Sequence, residues 1–570
     1  VSTGLDNTTM THELVNTGTN AFTFKKITYD SRTVGDDVTN SHPSFVGAKI
    51  VQAFFHNNRL GFLSSDNVSM SQSAEFFNFY HTSAQTVTDS DPIDISASTI
   101  RPAALHSVLP STQGLVLFSA NQQFLMAASD GILTPAKTVI RAIANYEMDT
   151  ELDPVDMGTT INFVSKTPSY TRVFGMVTRG ENENPTVLDI GRVVNEWVPA
   201  TVDTLIASPQ NQFIAMSGQA SRYIYYFRTY SDGEKNLVQA WFNWEAPGTV
   251  QAIAADSDEF FAVTKQGGQF TLSKASLSQS PDDAIIVNND GKRINPCIDL
   301  YATASSVVYD TAGEFSKCFI PYNDATNLTP VLIIKGTTAT GNFIESGFTM
   351  TPERVVESGN TYFKVPFKNL TSVASDVIVG FKYDFDIILP KTYFKTDDNG
   401  TRSDFSANLT IARMKFAVGL SGVMGFKLKS KGIRQGKREY TGDGSTTVFG
   451  WDPSEISYID KEQVKVKVNN VVTTAFTVTS NTSLTMDSAP ANGATVLIYL
   501  DEWYNLNPVI KANQYLANDI PLADQTVFTL PIHQRTENFT LRLFNDTPFP
   551  TALNSMMWEG LYSPRFYRRT

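Results

Sequence analysis

The chain has 570 residues and a formal net charge of −12, which leaves room for three or four domains of about 150 residues each. Hydrophobic residues make up 41% and aromatics 11%, with 38 Phe and 21 Tyr, so packed cores are expected and strands are favoured over helices. Two cysteines, Cys297 and Cys318, exclude a disulfide scaffold and a cysteine metal cage, and no apolar run approaches the ~20 residues of a membrane helix.

Residues 1–41 are polar, with one alternating strand at Ala21-Phe22-Thr23-Phe24. From about Val51 to Leu272 a strand-turn-strand pattern recurs. Phe62–Ser65, Leu117–Ala120, Phe163–Lys166, Ile214–Ser217 and Phe261–Thr264 follow one another at intervals of 55, 46, 51 and 47 residues. A loose period of about 40–50 residues of this kind marks propeller blades. A small sheet cannot bury both faces alone, so neighbouring blades must stack. Five blades are expected, with Val307-Val308-Tyr309-Asp310 as the start of a sixth; a pair of ordinary β-sandwiches is the alternative.

Within this region Asn57-Asn58 can supply the positive φ of a tight hairpin turn, and Asp232-Gly233 is a second turn signal. Arg59 is expected either to fix a loop or to pair with Asp91 or Asp94. Trp241 and Trp244 are expected to pack between blades. Residues 46–275 hold 14 Lys and Arg against 22 Asp and Glu. Such acidity argues against a dedicated nucleic-acid binder, though not against a channel through which DNA slides.

Beyond residue 275 the texture stays strand-rich, with candidates at Pro330–Ile334, Tyr362–Phe367 and Val377–Phe381. Strict alternation over Leu409–Val418 would place Ala412, Met414, Phe416 and Val418 on one face and Arg413 and Lys415 on the other. Lys427, Lys429, Lys431, Arg434, Lys437 and Arg438 then fall within twelve residues that contain no acid. Lys427 and Lys429 alternate with Phe426 and Leu428 and would share one strand face. This cluster reads either as a contact for DNA or lipopolysaccharide, or as a solvated face or intersubunit ion pairs. Residues 439–502 stand apart, with a period-2 strand at Val464–Val468 that ends in an Asn469-Asn470 turn.

The order of several segments resembles the tail tube protein B, or nozzle, family of short-tailed phages. The segments are Pro43-Ser44-Phe45-Val46-Gly47, Asn58-Arg59-Leu60-Gly61-Phe62-Leu63, Glu75–Tyr80 followed by Asp91-Pro92-Ile93-Asp94, and Leu117–Phe124. Residues 439–502 are similar to the small β domain at the N-terminus of those phages' tail fibres. The resemblance implies an all-β virion protein of the tail. On that reading residues 1–45 form an N-terminal platform segment, with residues before Val1 possible in the full protein. Residues 46–310 form the propeller-like domain, 311–438 a platform or channel-wall domain, 439–502 an inserted tip module, and 503–570 a return to the channel wall. It also implies a hexameric ring that adjoins a tail adaptor and the tail fibres, passes genomic DNA and meets the host envelope.

No catalytic constellation, metal-ligand spacing or cofactor motif stands out, so no catalytic, cofactor or metal residues are assigned. A propeller hydrolase acting on envelope polysaccharide, or a saccharide-binding tail protein, is the alternative. The hydrolase would need two carboxylates ~5–10 Å apart in a central depression.

Overall fold

The computed structural model describes residues 4–97, 103–128, 131–177, 184–219, 221–231, 236–277, 286–287, 293–322, 328–335, 349–357, 359–397, 402–431, 436–458, 461–510 and 526–564. Among them the regular structure is antiparallel strands and short 3-10 turns, and the chain divides into two compact units, Val1–Ser278 and Gln279–Thr570. The all-β expectation holds.

The first unit is built on five successive meanders. Four have four strands: Ile50–Ser96, Leu105–Ala144, Val155–Asp189 and Thr204–Glu245. The fifth, Thr249–Ser276, has three. Each of the five recurring segments contributes to the second strand of its sheet. Those strands are Arg59–Ser64, Gly114–Ser119, Ile161–Lys166, Phe213–Ser217 and Glu259–Gln266.

Side chains alternate across a strand, so each second strand can serve two neighbours. Leu115 and Leu117 pack with Leu63 and Val68 of the first sheet. Val116 and Phe118, on the other face, pack with Phe163 and Phe174 of the third. Val164 and Val173 meet Ile214 and Met216 of the fourth, while Phe213 and Ala215 meet Ile253 and Phe260 of the fifth. The result is a propeller-like stack. It also explains why Gly114–Ser119 and Phe213–Ser217 read as continuous apolar runs, because both faces are buried. The far face of the first sheet is closed by Ile27, Tyr29, Phe45 and Phe79, which gather around Phe62.

Asn57 and Asn58 have φ of 47° and 57° and make the tight turn expected of them. Gly61 is required where it stands: an added Cβ would lie 2.2 Å from the Phe54 ring. Trp241 packs against Phe227, and its indole N–H donates to the Ile190 carbonyl at 3.1 Å. Trp244 lies on Tyr226 of its own sheet with ring centres 4.5 Å apart and reaches Phe260 of the fifth at 5.5 Å, so both tryptophans join stacked sheets. Asp232-Gly233 lies outside the described residues, although its flanking strands pair as a hairpin. The sixth blade is not made. Ser306–Asp310 pairs with Phe315–Phe319 in a sheet of the second unit that buries its core against Leu332, Val379 and Phe381.

The second unit holds two sandwiches and a smaller β module. In the first sandwich Cys318, Phe363 and Val365 of one sheet face Leu332, Val379 and Phe381 of the other. Both cysteines are free. In the second, the sheet of Phe385–Ile388, Phe539–Asn545, Met424–Ser430 and Trp503–Ile510 covers that of Thr526–Arg535, Asn408–Val418 and Leu553–Ser563. Phe416 and Phe426 meet at its centre with rings 4.8 Å apart.

Asn408–Val418 departs from strict alternation. Its register shifts between Ile411 and Arg413 against both neighbours, and His533 opposite has a φ of 52°. Leu409 and Ile411 are buried before the shift, and Met414, Phe416 and Val418 after it. Ala412 therefore belongs to the bulge and not to the core face it was expected to share. Arg413 and Lys415 do lie outward, both paired with Glu559.

Between the hydrogen-bonded neighbours Met424–Ser430 and Trp503–Ile510, two small sheets enclose Phe449, Trp451, Val466, Leu484 and Ile498. The chain thus leaves and re-enters the second sandwich at adjacent points.

Candidate contact surface on the basic strand

Strand Met424–Ser430 lies between Phe539–Asn545 and Trp503–Ile510. Phe426 and Leu428 point into the sandwich core with Leu541, Leu543 and Tyr504. Alternation turns Lys427 and Lys429 to the opposite face. The register sets Lys427 beside Arg542 and Asn505, and Lys429 beside Trp503.

On this face cations and aromatic rings interleave. The Lys427 ammonium stands 4.6 Å from the Phe544 ring centre, and the Arg542 guanidinium 6.0 Å from that of Trp503. Arg542 donates its Nε–H to Asp386 at 2.7 Å, and Lys429 is ion-paired with Glu502. These pairs are partly exposed, so each contributes little to stability, but they neutralise the cations locally.

The other expected residues follow the end of the strand in sequence. Lys431 is exposed just past the strand, and its backbone N–H donates to Asn538. Arg434 lies outside the described residues. Lys437 and Arg438 open the first strand of the inserted module, Lys437–Thr441, where successive residues face opposite ways. Arg438 reaches Glu455 at 2.6 Å, and that hydrogen bond raises its pKa further. The twelve-residue run is thus split between two sheets.

Arg542, Phe544, Trp503 and Asp386 were not found from the sequence. The alternation Leu541-Arg542-Leu543-Phe544 carries half the signal, since it marks Arg542 and Phe544 as one face. What it lacks is the register with a strand more than a hundred residues earlier. The module adds an open cleft of about 390 Å³, lined by Lys465, Thr473, Phe476, Tyr499 and Asp501. Among the described residues no group of three or more His, Cys, Asp or Glu is placed to hold a metal ion. Charge on this face is largely matched within the chain, and the Phe544 and Trp503 rings lie beneath the cations.

The tail tubular protein gp12 of Escherichia phage T7 is 30% identical over 280 residues, which is 48% of this chain and 35% of that protein. The chain spans about a third of that relative's length. Among solved structures, Hsv2p of Kluyveromyces lactis matches 53% of this chain and 86% of its own, with a TM-score of 0.27 and 11% identity. The Pan2 WD40 domain of Neurospora crassa matches 49% of this chain and 77% of its own, with a TM-score of 0.24 and 10% identity. The family model described as bacteriophage nozzle protein matches residues 1–495 and 493–569, so the chain belongs to the bacteriophage nozzle protein family and is a protein of the virion tail.

Proposed function

We propose that the chain is a structural subunit of the ring-shaped nozzle through which a short-tailed phage ejects its DNA. The observation that carries this reading is the stack of five sheets in which consecutive sheets bury shared cores, within a family of tail nozzle proteins. Close-packed interiors have low compressibility, and a wall of stacked sheets resists deformation. The surplus of carboxylates over residues 46–275 would let a polyanion pass without adhering. The role is mechanical and needs no catalyst or cofactor.

On this reading six copies close the ring, one rim adjoins the tail adaptor, and the other meets fibres and the host envelope. Residues 1–45 and 311–438 with 503–570 serve as platform and channel wall, and residues 439–502 as the tip. Lys427, Lys429, Lys431, Arg434, Lys437 and Arg438 contribute contacts to neighbouring subunits or to the envelope. Electron micrographs of the purified protein test the proposal. Six-membered rings with a central hole, and antibody label at the tail tip of virions, are expected. A protein that stays monomeric at every concentration, or label on the capsid, would overturn it.

A further inference from the structure

The hairpin His12–Gly18 and Ala21–Lys26 forms a sheet of its own, two strands wide. Leu14 lies opposite Phe24 and Asn16 opposite Phe22, so the three apolar side chains share one face. That face is bare: Leu14, Phe22 and Phe24 are 64%, 60% and 70% exposed. An isolated two-stranded hairpin is marginal in water, and an exposed aromatic face on one marks an interaction site.

A matching surface lies at the other end of the stacking order. The first sheet is capped by the segment that follows the hairpin, through Ile27 and Tyr29. The fifth sheet buries Val250, Ile253 and Phe260 against the fourth, and among the described residues no buried cluster covers its other face. There Val263 lies opposite Leu272, Phe261 opposite Lys274, and Phe270 opposite Lys265. Phe270 and Leu272 are 60% and 71% exposed. The edge strand Gln269–Ser276 ends a sheet of three strands where the other four sheets have four.

We propose that the hairpin of one copy docks on the outer face of the fifth sheet of the next copy. This rests on the ring reading above and names a contact that closes it. Two observations select a second copy as the occupant. The first is charge: exposed Lys26 shares the apolar face of the hairpin, whereas Lys25 on the reverse face is paired with Glu13, and exposed Asp256 lies opposite Glu259 on the outer face of the fifth sheet, where Lys274 is already paired with Glu259 and Lys265 stands beside Phe270. The second is area. With Phe side chains of 150–250 Å², the bare portions of the two faces amount to roughly 600 Å². That is about half of what a stable two-body interface buries. A contact of this size fits an assembly in which every copy makes it twice, once through its hairpin and once through its fifth sheet. Such a head-to-tail contact joins different patches on the two copies, and it ends in a ring when the rotation closes.

The test uses the full chain with Phe24→Glu or Leu272→Glu, followed by sedimentation velocity and native mass spectrometry. Both sites are exposed, and unchanged circular dichroism and Tm would show that each variant folds. Each variant alone is expected to raise the concentration for half-assembly by about tenfold or more. Mixed in equal amounts, the two retain one intact hairpin and one intact sheet face and are expected to form dimers but no rings. In a Phe24→Cys, Leu272→Cys double variant, oxidation is expected to give a ladder of cross-linked chains. Rings from both glutamate variants at the parent concentration, or cross-links confined within one chain, would overturn the contact while leaving the ring reading intact. A parent that never assembles would overturn both.

Discussion

Arg59 donates a hydrogen bond from its guanidinium to the main-chain carbonyl of Asp91, at 2.7 Å, and both residues are buried. The same guanidinium also reaches the carbonyls of Ser71 and Asp89 at 2.7 and 2.8 Å. Arg59 thus ties the second strand of the first sheet to the loop that returns to its fourth. Its partners are carbonyls, not the carboxylates of Asp91 or Asp94. Arg59→Ala would leave buried carbonyl groups unmatched, at about 1–3 kcal/mol each. A loss of about 3 kcal/mol is expected in denaturant unfolding of the first unit. Arg59→Lys should recover part of it, since an ammonium cannot reach three carbonyls in the same fork.

The Asp91 carboxylate faces the other way, toward Thr82 and Thr88. Burial pushes its pKa up, and the hydrogen bonds from Thr88 and Thr82 outweigh burial, leaving it below the usual 3.8. A carboxyl whose folded value is depressed stabilises the fold fully above its unfolded pKa, and that contribution is lost as pH falls through the folded value. The acid limb of the stability curve below about pH 4 should therefore be shallower in Asp91→Asn than in the parent. Urea midpoints measured between pH 5 and pH 2 check this, and parallel curves for the two proteins would refute it.

Phe118 and Phe163 are buried on facing sheets, with ring centres 5.6 Å apart. Phe163→Ala should cost about 3–5 kcal/mol, because it opens a cavity between two β surfaces that cannot both collapse into it. Trp241→Phe keeps an aromatic ring, though a smaller one, and removes the bond to Ile190, and about 1–2 kcal/mol is expected. Thermal unfolding of both variants would rank them. A Trp241→Phe effect as large as that of Phe163→Ala would argue that the indole nitrogen does more than hold one turn.

Cys318 is wholly buried, and desolvation pushes its thiol up to about 12 from the usual 9.0. Raising the pKa of a thiol favours the neutral form in the folded state. The stability it lends is complete below the unfolded value and is lost as pH rises from about 9 toward 12. Cys318→Ala should flatten that alkaline decline, although it lowers stability at neutral pH. A thiol reagent at pH 8 should leave Cys318 unmodified in the native chain and modify it promptly in guanidinium, read by mass spectrometry of its peptide.

The five-sheet stack could be read from the chain because each sheet pairs with itself inside about fifty residues. Local alternation at Leu115-Val116-Leu117-Phe118 already encodes which side chains face which neighbour. The bulge at Ala412 could not be read, because it is fixed by strands that begin at Thr526 and Leu553. The same distance hid the neutralising partners of the basic strand: Asp386 reaches Arg542 across 156 residues. The fate of Lys437 and Arg438 turned on one event no local pattern marks, the departure of the chain from a paired strand into a new core.

That departure has a direct consequence for folding. Strands Met424–Ser430 and Trp503–Ile510 are hydrogen-bonded neighbours, with Lys429 opposite Trp503. The residues between them close around their own core of Phe449, Trp451, Ile456 and Leu484. Two adjacent antiparallel strand ends can be joined by a two-residue Asn-Gly turn. Replacing residues 431–501 by such a turn, which closes on Ser430 and Glu502, should leave the second sandwich folded and the Lys429–Glu502 pair in place, at the cost of the Asn505–Glu462 hydrogen bond at the surface. The thermal midpoint of the shortened chain should lie within a few degrees of the parent, consistent with a change of about 1 kcal/mol. The burial of Phe416 and Phe426 should persist in hydrogen exchange of their strands. Loss of protection over Leu409–Val418 would mean instead that the module is part of what folds the sandwich. Retained protection would give a chain without the inserted module, in which assembly and any contact made by that module can be measured separately.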